Sequence, residues 1–274
     1  MSEIEQQQNP STMLGWSLAV LVAPLLILAL AGCSAGDDSS QQPEGAIVST
    51  PPDASSAPAS SADFATAVKF TKLIHEDETK KAGQLVAPES AAGRYVVHRQ
   101  LMIKAEKVTG YVSEPETPKI DPDPATRAVK IKYDDEPRTK YTWKDFTFDQ
   151  GKITGWTGKT GPVKSVLWSR TTSDQSRGRK AELKSAYLSN SKALYAVVEL
   201  SSSKATSWGN AEYTAKGDYR QAAFDESAGD LAAGEKTLAY FAFEDAKFGG
   251  TVHIPYYNED GTSQGNWELE LTIK

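Results

Sequence analysis

His75, His98 and His253 are the only imidazoles in the chain and Cys33 is its only thiol. Every imidazole or thiol role must fall to these four side chains. His75 opens the acidic run His75-Glu76-Asp77-Glu78, which suits a solvated helix end. A helical zinc pair would want a second histidine four residues on, and position 79 is threonine. His253 stands beside Pro255 in a strand pattern with no evident partner. His98 lies on an apolar stripe and reads as an interior or pocket-rim histidine. Ser189-Asn190-Ser191-Lys192 and Ser201-Ser202-Ser203-Lys204 both fit S-x-x-K, but the companion motifs that give this pattern meaning are absent. Asn258-Glu259-Asp260-Gly261 starts like a calcium loop without its closing glutamate, and reads as a turn. The sequence therefore leads us to expect no catalytic set, no metal and no cofactor. One constellation remains. Tyr95 and His98 on a long helix, with Tyr141, Trp143 and Asp145 on a strand, can face one cavity, because period two puts Trp143 and Asp145 on the same strand face. These five form a candidate ligand pocket, with core packing as the plainer reading.

The elements that must position them follow from the hydrophobic periods. Phe64, Ala67, Val68, Thr71 and Ile74 recur at helical spacing, with Ser60 and Asp63 placed for a capping box. A short helix carries Ala82 and Leu85. Ser90 caps a long helix whose face is Tyr95, His98, Leu101, Met102, Ala105 and Val108, with Gly110 as its stop. The four prolines from Pro115 to Pro124 predict an irregular crossing. The period then changes to two. Val129, Ile131 and Tyr133 form one strand face, Tyr141 and Trp143 another, and Asp149-Gln150-Gly151-Lys152 is a hairpin turn.

From residue 161 onward, seven short apolar segments are parted by turn residues: Val163–Trp168, Ala181–Leu188, Leu194–Leu200, Tyr219–Phe224, Leu238–Phe243, Val252–Tyr256 and Trp267–Ile273. Trp267, Leu269, Leu271 and Ile273 alternate with polar residues, as in a strand with one wet face. This part is expected to be an all-β sandwich. The fold class is α+β.

Helix, short helix, long helix and then strands ending in Asp145-Phe146-Thr147-Phe148-Asp149-Gln150-Gly151-Lys152-Ile153-Thr154-Gly155-Trp156 resemble the nuclear-transport-factor-2-like superfamily, as does Gln84-Leu85-Val86-Ala87-Pro88-Glu89-Ser90. The resemblance implies an α+β cone over residues 63–160, whose sheet wraps the long helix around an apolar interior. In its ketosteroid-isomerase-like members a carboxylic acid and a tyrosine serve as base and oxyanion donor. No such role is carried over here, because the motifs do not align residue by residue. The Ala-Val-Val-Glu-Leu strand at 196–200, and Gly234-Glu235-Lys236 ahead of an apolar strand, resemble immunoglobulin-like modules of Gram-positive lipoproteins. That implies an immunoglobulin-like sandwich over 161–274.

The N-terminal part carries the address. Met13 to Gly32 holds no charged residue, and Leu30-Ala31-Gly32-Cys33 closes it. The ending resembles the bacterial lipobox, in which a cysteine is lipidated and becomes the first residue after cleavage. Residues 1–33 are then a lipoprotein signal peptide. An uncleaved anchor is the other reading, since Met1 to Pro10 has Glu3 and Glu5 but no Lys or Arg. Residues 34–62 contain no aromatic and no Lys or Arg, and are mostly Ser, Ala, Pro, Asp and Gln. They resemble the linkers of actinobacterial lipoproteins, and such a segment buries too little apolar area to offset its ordering entropy. It is a tether of about 30 Å root-mean-square reach.

The formal net charge of −6 belongs entirely to Glu3, Glu5, Asp37, Asp38, Glu44 and Asp53, which leaves 63–274 balanced. A general cationic nucleic-acid surface is excluded. One cysteine excludes a disulfide framework and the cysteine-rich zinc modules. These features predict a lipid-anchored protein on the extracytoplasmic side of the cell membrane. It would be held by diacylglycerol on Cys33 and would act as a non-enzymatic binding or scaffolding module with an envelope-protein or cell-wall partner. A small apolar-ligand binder, or an isomerase-like enzyme using the cone, is the alternative.

Overall fold

The computed structural model describes residues 60–109, 117–133, 140–168, 172–223, 229–258 and 260–271; Cys33, residues 34–59 of the expected tether, Gly110, Phe224 and Ile273 lie outside them. Helix α1 (Ser61–His75) opens on the expected capping box. Ser60 Oγ accepts from the Asp63 amide at 3.1 Å, and Asp63 Oδ2 accepts from the Ser60 amide at 2.8 Å. Two donors that the first turn would otherwise strand are thereby satisfied. After α2 (Thr79–Gly83), Ser90 caps α3 (Ala91–Thr109) by accepting from the Gly93 amide at 3.1 Å. Gly93 is required there, because a Cβ would sit 2.1 Å from the Pro88 carbonyl oxygen.

Five strands follow as an antiparallel meander: β1 (Lys119–Asp123), β2 (Ala128–Lys132), β3 (Lys140–Asp149), β4 (Lys152–Gly158) and β5 (Gly161–Pro162). The β3–β4 hairpin turns through Gln150 (φ 46°) and Gly151 (φ 75°), with Asp149 opposite Lys152. Both central residues have positive φ, as a two-residue type I′ turn requires. Part of the expected irregular crossing is strand β1, and it includes Pro122. As β1 is the sheet's edge, a residue without an N–H is tolerated there. Backbone bonds from Ile153 to Leu85 (2.9 Å) and from Ala87 to Ile153 (3.0 Å) tie the chain after α2 to β4.

The segment Val163–Trp168 departs from the strand expected of it. It is a helical turn, α4 (Val163–Val166), then the two-residue β6 (Leu167–Trp168). Ser165 donates its hydroxyl back to the Pro162 carbonyl at 2.8 Å, a local bond that competes with extended backbone. Val163 and Val166 pack into the helix-covered core, and β6 pairs with the later sheet while Leu167 and its partner Tyr187 still touch that core. The changeover between sheets thus falls at 166/167, six residues later than the expected 160/161.

The remaining strands are β7 (Thr172–Ser176), β8 (Arg179–Leu188), β9 (Leu194–Ser202), β10 (Thr206–Trp208), β11 (Glu212–Ala215), β12 (Asp218–Gln221), β13 (Gly229–Leu231), β14 (Lys236–Phe243), β15 (Thr251–Asn258) and β16 (Ser263–Glu270). One antiparallel sheet runs β14-β9-β8-β6, with β7 also on β8; the other runs β12-β11-β15-β10-β13, with β16 along β15. Leu183, Leu194, Val198, Leu200, Phe241 and Phe243 from the first meet Tyr213, Val252, Ile254, Trp267 and Leu269 from the second in one core. Apart from α4, this part is all-β, as expected. Strands β7, β10, β11 and β13 carry mostly polar or small residues and gave no periodic signal.

Helix α3 belongs to both halves. Tyr95 and Val96 pack with Phe70, Trp143 and Trp156 under the meander, while Met102 and Ala105 pack with Val197 and Leu238 of the β14-β9 sheet. Residues Asp53–Lys274 form one compact unit, and all three hydrophobic clusters lie inside it. A fragment starting at Asp53 therefore keeps every core contact described here. No helix among the described residues is long and apolar enough to cross a membrane.

Candidate functional site

The buried face of α3 meets β3, and four of the five residues named as a candidate pocket come together there. Tyr95, His98 and Trp143 are buried and Tyr141 half-buried. Ring centroids lie 6.0 Å apart for Tyr95 and Trp143, and 6.4 Å for both Tyr95–His98 and Tyr141–Trp143. Phe70, Trp156 and Tyr187 complete the cluster: Trp143 and Trp156 stand 4.6 Å apart, and Tyr187 meets Tyr95 edge-on at 4.9 Å. Such edge and tilted contacts are the favoured packing of aromatic rings. The space between α3 and the meander is occupied by side chains.

Asp145 does not join them, which corrects the expectation of a shared strand face. Its φ is 52°, and the β3–β4 register shifts between Lys144 and Thr147. Period two holds only while the strand stays extended; a bulge re-aims the residue within it. The Asp145 side chain is 65% exposed and sits 3.9 Å from Lys144 Nζ.

His75 takes a place that the sequence did not assign to it. It ends α1 on the stripe of Ala67 and Thr71, and its ring packs 5.1 Å from Trp143. The Thr71 carbonyl can only accept, so His75 Nδ1 carries the hydrogen and donates it at 2.8 Å. Nε2 is then the lone pair, and the Tyr141 hydroxyl donates to it at 2.6 Å. With that hydrogen committed, Tyr141 accepts from the Tyr133 hydroxyl at 3.2 Å. Direction runs from Tyr133 through Tyr141 to His75 and on to the backbone. Burial lowers the His75 pKa from 6.5 to about 4, against an opposing contribution from the Thr71 bond. Burial also raises the Tyr141 hydroxyl far above its ordinary value.

His98 is fully buried and bonds Ser185 Oγ through Nδ1 at 2.9 Å, while its Nε2 has no hydrogen-bond partner among the described residues. Burial lowers its pKa to about 3 and raises that of Tyr95 to about 12. Arg99 and Asp77 pair at 2.5 Å at the rim, where Asp77 turns the chain at φ 54°. Ser185 reaches the helix because β8 slips register between Leu183 and Ser185.

Chemically this is a cluster of neutral donors and acceptors turned on one another. The lone pair of His75 is spent on Tyr141, and the one carboxyl expected in the pocket faces solvent. Neither serves as a base toward the apolar interior. Sequence reasoning missed His75, Tyr133, Trp156, Tyr187 and Ser185. The spacing of Ala67, Thr71 and His75 on one helix face was the available signal, and the acidic residues after His75 masked it.

The other singled-out residues are structural. His253 has a partner, contrary to expectation: it lies opposite Glu268 across β15–β16, with Nδ1 3.7 Å from Oε1. Asn258 sits at the expected turn, where the Gly261 amide donates to its carbonyl at 2.9 Å. Its Oδ1 also accepts from the buried Arg179 at 2.9 Å; Arg179 further donates to Thr206 Oγ1 at 2.7 Å and lies 5.3 Å from the Tyr256 ring centroid. Among the described residues, no group of His, Cys, Asp and Glu is arranged to hold a metal ion.

No family model matches the chain, and no curated protein matches it.

Proposed function

We propose that the protein is a lipid-anchored, extracytoplasmic module that binds or scaffolds within the cell envelope without catalysing a reaction. The observation that carries this reading is Leu30-Ala31-Gly32-Cys33 at the end of an uncharged run, followed by a tether without aromatic or basic residues. Diacylglycerol on Cys33 would hold it in the membrane, and the folded unit would reach its partner from the tether. The helix-and-meander part is proposed to be nuclear-transport-factor-2-like, on the order of its elements and the tie between Leu85–Ala87 and Ile153. The two-sheet part is proposed to be immunoglobulin-like, on its two antiparallel sheets about one core.

The alternative, an apolar-ligand binder or isomerase-like enzyme, wants room and a carboxyl in the cone. The packed rings of Phe70, Tyr95, Trp143 and Trp156 and the outward Asp145 weigh against it. Metabolic labelling with a fatty-acid probe tests the anchor. The wild-type chain is expected to incorporate the probe and Cys33→Ala to lose it; equal labelling of both would sink the assignment.

A further inference from the structure

We infer that the outward face of α3 is a contact surface for an anionic phospholipid leaflet. The helix buries Tyr95, His98, Met102 and Ala105, and this leaves Val97, Leu101, Lys104 and Val108 in register on a neighbouring side, about a third of a turn round, at spacings of four, three and four. Val97 is 51% and Val108 54% exposed; the third large apolar side chain exposed to this degree among the described residues, Tyr219, lies on β12. Leu101 is half-buried and continues the apolar strip onto Tyr195 and Tyr240 of the adjoining sheet. Lys104 stands within this strip and Arg94 and Lys107 flank it, all three exposed and none paired with a carboxylate among the described residues, Arg94 donating to the Glu89 carbonyl at 2.6 Å. Glu106, the one acid of α3, points to the other side of the helix.

An apolar strip bordered by cations that meet no described carboxylate, with tyrosines beside it, is the composition of helices that lie in a lipid interface. An acidic surface would attract the three cations, while a protein partner with an apolar patch would not call for them. The inference rests on the proposed anchor for its biological setting. If the residues between Cys33 and α1 act as the expected coil of about 30 Å reach, an anchored unit would stay within range of the leaflet and confinement would make a weak contact effective.

The test does not depend on Cys33. The fragment Asp53–Lys274 contains every core cluster and no cysteine, so Val97→Cys, Val108→Cys and, as a control, Tyr219→Cys each supply a single thiol for an environment-sensitive fluorophore. Added to vesicles of phosphatidylglycerol and phosphatidylcholine, probes at Val97 and Val108 should shift to the blue and be quenched by a spin label on the acyl chains. The probe at Tyr219 should do neither. Lys104→Glu should raise the lipid concentration needed for half-binding at least about fivefold. Quenching as strong at Tyr219, equal quenching in pure phosphatidylcholine, or no quenching at millimolar lipid would each overturn the inference. So would a blue shift without lipid-borne quenching, which would report contact with protein instead. Failure of the anchor would show separately, as loss of fatty-acid labelling.

Discussion

The core under the meander and the core between the two later sheets are built on different chemistry. The former is a stack of rings with polar tips: His75, Tyr141 and Tyr133 are joined by hydrogen bonds, and His98 is bonded to Ser185. The latter is mainly Ala, Leu, Val, Ile, Phe and Trp from facing strands, with Arg179 held at one end. Aliphatic burial is non-directional and insensitive to pH, whereas a buried imidazole must stay neutral to remain buried. The first core is therefore expected to respond to protons and the second is not.

The largest effect that can break this comparison is truncation between the sheets. Phe241 is 1% exposed, and Phe241→Ala is expected to cost about 3–5 kcal/mol. Because α3 serves both cores, urea unfolding followed by tryptophan fluorescence and by circular dichroism should remain one coincident transition. Two separated transitions would show that the halves are independent.

A smaller effect belongs to the ring-lined core alone. Folding lowers the pKa of His98 from 6.5 to about 3 and that of His75 to about 4, so the unfolded chain binds more protons below pH 6.5. Stability is full above that value and is lost as pH falls toward the folded values. Between pH 7 and 5 the loss is about 2 kcal/mol for His98, and less for His75, which lies nearer to solvent. Urea midpoints at the two pH values measure it, and an unchanged midpoint would remove the proton-sensing distinction.

The smallest effect lies on the surface. Glu182 bonds Lys180 at 2.6 Å and Lys184 at 2.7 Å, and these two bonds lower its pKa to about 2. The contribution is present above the ordinary glutamate range and fades as pH falls toward 2. Screened by solvent, Glu182→Gln should cost less than about 1 kcal/mol and nothing measurable in 1 M salt. A larger cost would mean that the outer sheet face matters as much as the cores.

Helices and long strands were legible in the sequence because their signals are local. Ser60 with Asp63 and Ser90 before Ala91 mark caps, Gln150-Gly151 marks a turn, and Trp267-Glu268-Leu269 marks a half-buried strand. The candidate site was legible only as far as periodicity holds. Tyr95, His98, Tyr141 and Trp143 follow it. Asp145 does not, because a bulge is a tertiary compromise between neighbouring strands and leaves no mark in alternation. His75 was hidden by its charged successors, although its helix face was correct. The strands β7 and β13 lack an apolar rhythm, and pairing with a neighbour is what makes them strands.

Sharing of α3 also orders events in time. A chain emerging from its N-terminus has α3 and the meander complete when residue 162 has appeared, but Val197 and Leu238, which cover Met102 and Ala105, follow only later. During that interval the helix presents sticky surface, and self-association of nascent chains is the hazard. Strands β9 and β14 therefore act as a latch: only when Leu238 has emerged is the surface that the first hundred described residues leave open concealed.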